Sequence, residues 1–510
     1  MDINKPSIMF PDQSDPASDA KDNPQIVYDL SIDRLLELIE PDMNGRDYFL
    51  RSVGSPPAHV ENILSRQQTL TDFLEIPGLF ERFSNLFSRW ADLRREWNDA
   101  RSKTAGRGHV GEASDADYYR AAYRLQVSAI YTRRILSFIR GIYNELSAAE
   151  LRSPALIAVR DAAASLVTRS EFGELDRTAA RYDAFAPSNA SFDLDPAFNE
   201  FMYITDVKAK LTGDLYTEDK RKEKADFLEK LIGKIRFKKT EQAEDEDEYQ
   251  PIRSVAVEDK GMTGVLADAV SDLASVMSGA ASALYGIFEK LPAECGFYRA
   301  AIKYVNFLRE KGVETTFPSI MPAESRRLEI KALRDGYLCA ASDAPGASDV
   351  IPNDVSVGHG GGIVVIGDNN TGKTVYLRSV GTAQLLAQSG LPIICEKAEI
   401  SVRGSLFTQF AAAEKDFTAG DVSGRFEEEV KQIAAINSAI SDGSLVLLNE
   451  TFQTTAYSEG AQGLLPILRR WSGKGAAWLL ATHLRELLPL LSDGEAVILE
   501  TRPGYKLERV

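Results

Sequence analysis

Residues 363–380 read IVVIGDNNTGKTVYLRSV, and the reading of the chain works outward from them. The β-branched run Ile363 to Ile366 has the composition of a short strand. A polar turn follows it, and a helical pattern starts at Gly372. Within the turn, Gly367, Gly372, Lys373 and Thr374 spell the phosphate-loop pattern GxxxxGK[ST]. Glycines let backbone N–H groups curl round an anion, a helix N-terminus adds partial positive charge, and a lysine adds a full one. Gly367, Asp368, Asn369, Asn370, Thr371, Gly372, Lys373 and Thr374 are therefore candidate phosphate-binding residues, with the Thr374 hydroxyl a candidate ligand of Mg²⁺. The competing reading is a chance match in 510 residues. A strand before the motif and a helix after it argue against chance.

The surroundings of the loop read as α/β. Apolar runs at 363–366, 445–448, 477–481 and 496–499 are strand-length and lack alternation, as strands buried on both faces do. Helical patterns at 372–389, 427–440 and 457–471 separate them. Residues 331–362, with strand-like pieces and Gly358, Gly360, Gly361 and Gly362, look like the entrance to this domain. Two further motifs sit at strand ends. Leu445 to Leu448 runs into Asn449 and Glu450, a Walker B pattern in which the first position supports Mg²⁺ and the second, Glu450, polarises an attacking water. The run Ala477 to Ala481 ends in Thr482 and His483, at the strand edge where ligands bind in sheets of this kind.

The preceding two-thirds of the chain reads differently. Residues 1–25, rich in Pro, Asp, Ser and Asn, are expected to form a disordered tail. From Ile26 to about 190 helical spacing dominates: Leu79, Phe83, Leu86 and Trp90 form one stripe. Tyr123, Val127, Ile130 and Arg134, with Leu136 and Ile139 nearby, form another, and both are read as bundle core. The segment GRGHVGEASDAD separates the two. Residues 191–207 around Pro196 suggest a hairpin. A charge-dense stretch then passes from Lys220, Arg221, Lys222 and Lys224 through Lys238 and Lys239 to Glu244–Glu248. It reads as a solvated excursion, or more sharply as a tip that touches DNA or a partner. Helical patterns resume at 261–291 and 295–311. The expected division is thus tail 1–25, helical core and lever 26–190, lever excursion 191–290, return helix 291–330, and nucleotide-binding domain 331–510.

Composition narrows the class. Apolar content of 44% and charged content of 26% fit a water-soluble globular chain. No apolar run reaches spanning length and no signal pattern opens the chain, so a cytoplasmic location without membrane contact is expected. Cys295, Cys339 and Cys395 lack paired spacing and read as reduced thiols. His59, His109, His359 and His483 are too dispersed for a metal cluster. The net charge of −16 neither supports nor excludes nucleic acid, because a basic face needs only local segregation.

With these motifs in place, the C-terminal 180 residues resemble the ATPase domain of the MutS family. The family's GxNxxGKS-xYxR appears as Gly367, Asn369, Gly372, Lys373, Thr374, Tyr376 and Arg378. LPIICEKAEI and LFTQFAAAEKD echo two further family stretches. Thr455, Glu459 and Gly460 keep the family's spacing after Glu450, and LATHLREL matches FATHYxEL. Arg66-Gln67-Gln68-Thr69 resembles an element of the family's helical core, so the likeness extends from about residue 26 to 510. Several departures stand out. Only a short tail precedes the lever region, so mismatch-reading and connector domains are expected to be absent. Phe73-Leu74-Glu75 has the spelling of their wedge but falls in the helical core. A nuclease-like domain after the ATPase is likewise expected to be absent. Asn449 stands where the family has a metal-supporting aspartate, and Gly424 stands where it has a trans-acting signature serine, with Ser423 one residue away.

The resemblance implies a multidomain α and α/β chain, with a long helical core and lever region before a parallel-sheet P-loop ATPase domain of MutS/ABC-like type. It implies ATP and Mg²⁺ as ligands. In these roles Lys373 would lie on the β- and γ-phosphates and Thr374 on Mg²⁺, with Asn449 supporting the metal indirectly. Glu450 would act on water, His483 would sense the γ-phosphate, and Ser423 would be the trans signature. It also implies a homodimer whose closing sites move the levers. Two functions follow as expectations. One is a DNA-associated ATPase in repair, recombination or defence. The other is an ATP-gated assembly module for a protein partner, with no role for DNA. In either, Asn449 lacks the charge that draws Mg²⁺, so binding with slow hydrolysis is expected.

Overall fold

The computed structural model describes residues 5–15, 25–40, 45–88, 90–104, 115–183, 191–198, 204–212, 257–410, 422–452 and 457–510. They fall into two compact units. One comprises Met1–Ser7, Ile76–Leu151 and Leu156–Pro292; the other comprises Ile8–Glu75, Arg152–Ala155 and Ala293–Val510. The stretch expected as one helical region, 26–190, is therefore divided, its first fifty residues belonging to the same unit as the C-terminal sheet. Among the described residues no helix is long and apolar enough to cross a membrane.

The first unit is built on two long helices, Asp115–Ser147 and Val257–Ile287. Ala121, Ala122, Leu125 and Ala129 of one share a core with Val270, Ala274 and Met277 of the other, joined by Ala179 and Tyr182. This corrects the face read from the sequence. Tyr123 and Arg134 are exposed and Val127 and Ile130 only half-buried, while Leu136 and Ile139 are fully buried. Alanines line the contact because small side chains let two long helices approach closely, and an aromatic stripe misses them. The stripe Leu79 to Trp90 is also broken: one helix ends at Leu86 and the next starts at Trp90. Trp90 stacks on Tyr285 with ring centroids 4.2 Å apart, and Trp97 on Tyr131 at 4.4 Å. Strands β1 (Ser191–Phe198) and β2 (Ile204–Thr212) pair antiparallel where a hairpin was expected. The charged stretch Lys220–Glu248 and most of the GRGHVGEASDAD segment lie outside the described residues.

Among the described residues the second unit holds ten strands: β3 (Ser319–Met321), β4 (Leu328–Leu333), β5 (Asn353–Val357), β6 (Gly362–Ile366), β7 (Lys397–Ser401), β8 (Leu406–Phe410), β9 (Leu445–Asn449), β10 (Ala477–Thr482), β11 (Ala496–Arg502) and β12 (Lys506–Arg509). Six form a sheet in the order β12-β11-β6-β10-β9-β8. All neighbours in it are parallel except β11 and β12. Every residue of β6, β9 and β10 is buried, which explains their unalternating apolar composition. The other four form a mixed sheet, β3-β7-β4-β5. A domain boundary at residue 331 would cut through β4, and β3 lies before it.

The helix Lys373–Gln388 leaves β6 and is buried along nearly its whole length. A Cβ at Gly381 would lie 2.5 Å from Leu447 of β9 and 2.7 Å from Leu30, so the helix is clamped between the sheet and the N-terminal helices. The Thr382 hydroxyl donates to the Leu30 carbonyl at 3.2 Å. At its far end the Gln388 amide donates to Pro57 O and Arg403 O. Gly390, at φ +81°, then lies against the helix Val60–Glu75. A Cβ there would stand 2.5 Å from Arg66 Cβ and 3.0 Å from Ile63 O.

Arg66 continues this chain of contacts into residues expected to be a disordered tail. Its Nε donates to Met9 O at 2.9 Å, and its guanidinium lies 4.5 Å from the Phe10 ring centroid. Ile8 and Met9 are fully buried. The Ile8 amide donates to Glu294 and the Ile8 carbonyl accepts from Tyr298 Oη. Composition misleads here because the partners that order the segment lie some 60 to 290 residues away. Gly390→Ala combines a left-handed backbone with a clash against another helix, and should lower unfolding stability by about 1–3 kcal/mol. Urea unfolding followed by circular dichroism checks this; an unchanged midpoint would mean that the two helices are not locked there.

Candidate active site

The turn after β6 is shaped by three left-handed residues: Gly367 at φ +151°, Asn370 at +61° and Gly372 at +96°. Only glycine fits at 367, where a Cβ would collide with Thr501 Oγ1 of β11. Thr501 donates to Thr371 Oγ1 at 2.9 Å, and Thr371 donates to Asp368 O at 2.7 Å. A hydroxyl chain thus ties the loop to the neighbouring strand. Asp368, Asn369 and Asn370 are exposed on its rim.

Parallel strands bring the separate sequence motifs together at one sheet edge, because β6, β10 and β9 are adjacent and end at the same level. Thr374 Oγ1 donates to Asn449 Oδ1 at 2.8 Å. Lys373 Nζ donates to Gly367 O at 2.9 Å and Asp368 O at 2.8 Å, and stands 3.1 Å from His483 Nε2 and 3.9 Å from Glu450 Oε1. His483 Nε2 is in turn 3.2 Å from Glu450 Oε1. That one ring nitrogen cannot serve both neighbours: carrying a proton it donates to Glu450, and without one it accepts from Lys373. The Lys373 side chain is only 4% exposed. Burial pushes its ammonium below the ordinary lysine pKa, against the pull of the Glu450 and Asp368 carboxylates.

Of the residues singled out in the sequence, Gly367 to Thr374, Asn449, Glu450 and His483 are assembled here. The helix Val422–Ala439 starts one residue before Ser423, whose side chain lies outside the described residues, as does Thr455. Tyr376 and Arg378 support the loop from behind. Tyr376 Oη donates to Asp354 O at 3.0 Å, and Arg378 pairs with the buried Asp335 at 3.2 Å. Sequence reading missed Thr501, which sits on an edge-side strand 130 residues from its partner with no local motif to mark it. It also missed Gln409 and Thr451, which are hydrogen-bonded to each other behind Glu450.

Residues 363–500 match the family model described as MutS domain V, a span that contains every assembled residue. The chain thus carries a stretch that matches MutS domain V. MutS-family proteins are ATPases, and domain V is their ATPase domain. A DNA mismatch repair protein MutS from Microcystis aeruginosa is 32% identical over 198 residues, covering 36% of this chain and 20% of that protein. The same-named protein of Synechococcus sp. strain CC9605 is 35% identical over 148 residues, covering 29% and 16%. An Endonuclease MutS2 from Streptococcus gordonii is 31% identical over 183 residues, covering 36% and 22%. The matched stretches thus span a fifth or so of these relatives' length.

The lowered Lys373 pKa gives this MutS domain a specific pH dependence. The unfolded chain holds that proton more tightly than the folded one, so the penalty is full well below the folded pKa and disappears as pH rises past the unfolded value. Lys373→Met should therefore stabilise the ligand-free protein at neutral pH, a gain that vanishes as pH rises past ~10.5. Unfolding midpoints of both proteins at pH 7 and above pH 10 measure it, and a variant less stable at pH 7 would contradict the burial argument.

Proposed function

We propose that this chain is an ATP-binding, slowly hydrolysing MutS-type ATPase. In this reading it works as a dimeric nucleotide switch on DNA, in repair, recombination or defence rather than in direct mismatch reading. The observation that carries the proposal is the convergence of Lys373, Thr374, Asn449, Glu450 and His483 on the loop Gly367–Gly372. The Lys373 ammonium rests on two carbonyl oxygens of its own loop, contacts that the oxygens of a β,γ-phosphate pair would take over. His483 stands beside that ammonium, where it would sense the γ-phosphate, and Glu450 is within reach to orient and polarise a water.

Mg²⁺ fits the donor set in part. Thr374 Oγ1 and Asn449 Oδ1 are adjacent oxygens, and Mg²⁺ keeps most of its shell from water and phosphate. Thr374 would hold the ion directly and Asn449 through a bound water. The ion would offset phosphate charge; the amide contributes no negative charge of its own. Binding is therefore favoured over turnover. Ser423 would complete the site of a second copy.

The alternative, an ATP-gated assembly module acting on a protein partner, is favoured by the helical unit's charges. Arg82, Arg134 and Arg140 are already paired with Glu145, Glu96 and Asp176, and Arg133 with Asp183, which leaves these cations less free for a phosphate backbone.

Lys373→Ala should abolish ATP binding measured by calorimetry; retained affinity would remove the phosphate-loop reading. Asn449→Asp should raise Mg²⁺-dependent turnover roughly tenfold or more, and unchanged turnover would refute the account of slow hydrolysis. Binding to duplex, branched and single-stranded DNA at graded salt, with and without ATP, separates the two functions. No binding at low salt leaves the assembly module.

A further inference from the structure

Directly after β9 the backbone enters an unfavourable conformation twice within three residues. Glu450 has φ +60° and Phe452 has φ +64°, both in the left-handed region without being glycine. Each costs roughly 1–2 kcal/mol, so surrounding contacts must hold the turn. Three elements do so. The Glu450 amide donates to Ala481 O of β10 at 2.8 Å. The Thr451 hydroxyl donates to Gln409 Oε1 of β8. The Phe452 amide donates to Glu429 Oε2 of the helix Val422–Ala439 at 3.0 Å. Thr451, Gln409 and Glu429 are all buried. An N–H donating to a buried carboxylate is charge-assisted and about twice as strong as a neutral pair. On the fourth side, a Cβ at Gly460 would come within 3.2 Å of Phe452 O, so the helix Tyr457–Gly473 also packs closely against the turn.

We infer that Glu429 and Gln409 are positioning residues for Glu450. The inference rests on the reading above in which Glu450 orients the attacking water. Neither residue is among the groups at the loop. They act by fixing a strained turn whose relaxation would swing the Glu450 carboxylate away from His483 and Lys373. Gln409 lies on β8 and Glu429 on the helix Val422–Ala439, so two separate elements hold the two residues that follow Glu450.

The test uses the full chain with Glu429→Ala, Glu429→Gln, Gln409→Ala and Glu450→Gln. It reads ATP affinity, kcat, and hydrogen exchange in a peptide ending at Phe452. Glu429→Ala should speed exchange of the Phe452 amide and lower kcat about tenfold while ATP affinity stays within about twofold. Glu429→Gln, whose amide oxygen still accepts the N–H, should keep kcat within about threefold of the parent. Should Glu429→Ala not fold, Gln409→Ala must show the same split between kcat and affinity. In a Glu450→Gln background neither substitution should lower kcat further. Faster exchange with unchanged kcat overturns the inference, as does unchanged exchange or a full second loss in the Glu450→Gln background. Glu450→Gln alone with parental kcat instead overturns the role given to Glu450, and the positioning assignment falls with it.

Discussion

A helix buried on almost every side, beginning with a buried ammonium, constrains the whole second unit. Lys373–Gln388 is enclosed by β9, by the N-terminal helices and, at its far end, by the helix carrying Arg66. It cannot tilt or slide without breaking contacts with Leu30, Pro57, Arg403 and Leu447. Its first turn therefore presents Lys373 and Thr374 in fixed positions. The cost is a lysine whose charged form is disfavoured by burial, kept charged by loop carbonyls and by Glu450.

Strain is distributed around the same point. Gly367, Asn370 and Gly372 curl the loop, and Glu450 and Phe452 kink the facing turn. Such conformations persist only where neighbouring elements over-determine them. Here the neighbours are Thr501 on one side and Gln409, Glu429 and Ala481 on the other. The site is therefore a property of the entire six-stranded sheet. Within the site, the neutral Asn449 amide oxygen accepts the Thr374 hydroxyl.

The helical unit obeys a different logic. Its two long helices meet through alanines and its aromatics stack in pairs, while several arginines are held by acidic neighbours within the unit. In a chain of net charge −16, Arg82, Arg133, Arg134 and Arg140 of this unit are thus paired with acidic neighbours.

The sequence by itself determined the turn between β6 and its helix, the unalternating core strands and the place of Asn449, Glu450 and His483 at strand ends. Those signals are local: each lies within a few residues and follows from backbone freedom, burial or charge. It misled wherever the deciding contact was distant. Residues 5–15 have a disordered composition yet are ordered by Arg66, Glu294 and Tyr298. The core face of Asp115–Ser147 is its own Ala121, Ala122, Leu125 and Ala129, packed on Val270, Ala274 and Met277 of a helix more than a hundred residues away, and Tyr123 is not on it. Only the tertiary structure could bring Thr501 to the loop and Gln409 and Glu429 to the turn of Glu450. Hydrogen bonds across 20 to 130 residues leave no periodicity or motif, because their partners become neighbours only when the sheet closes.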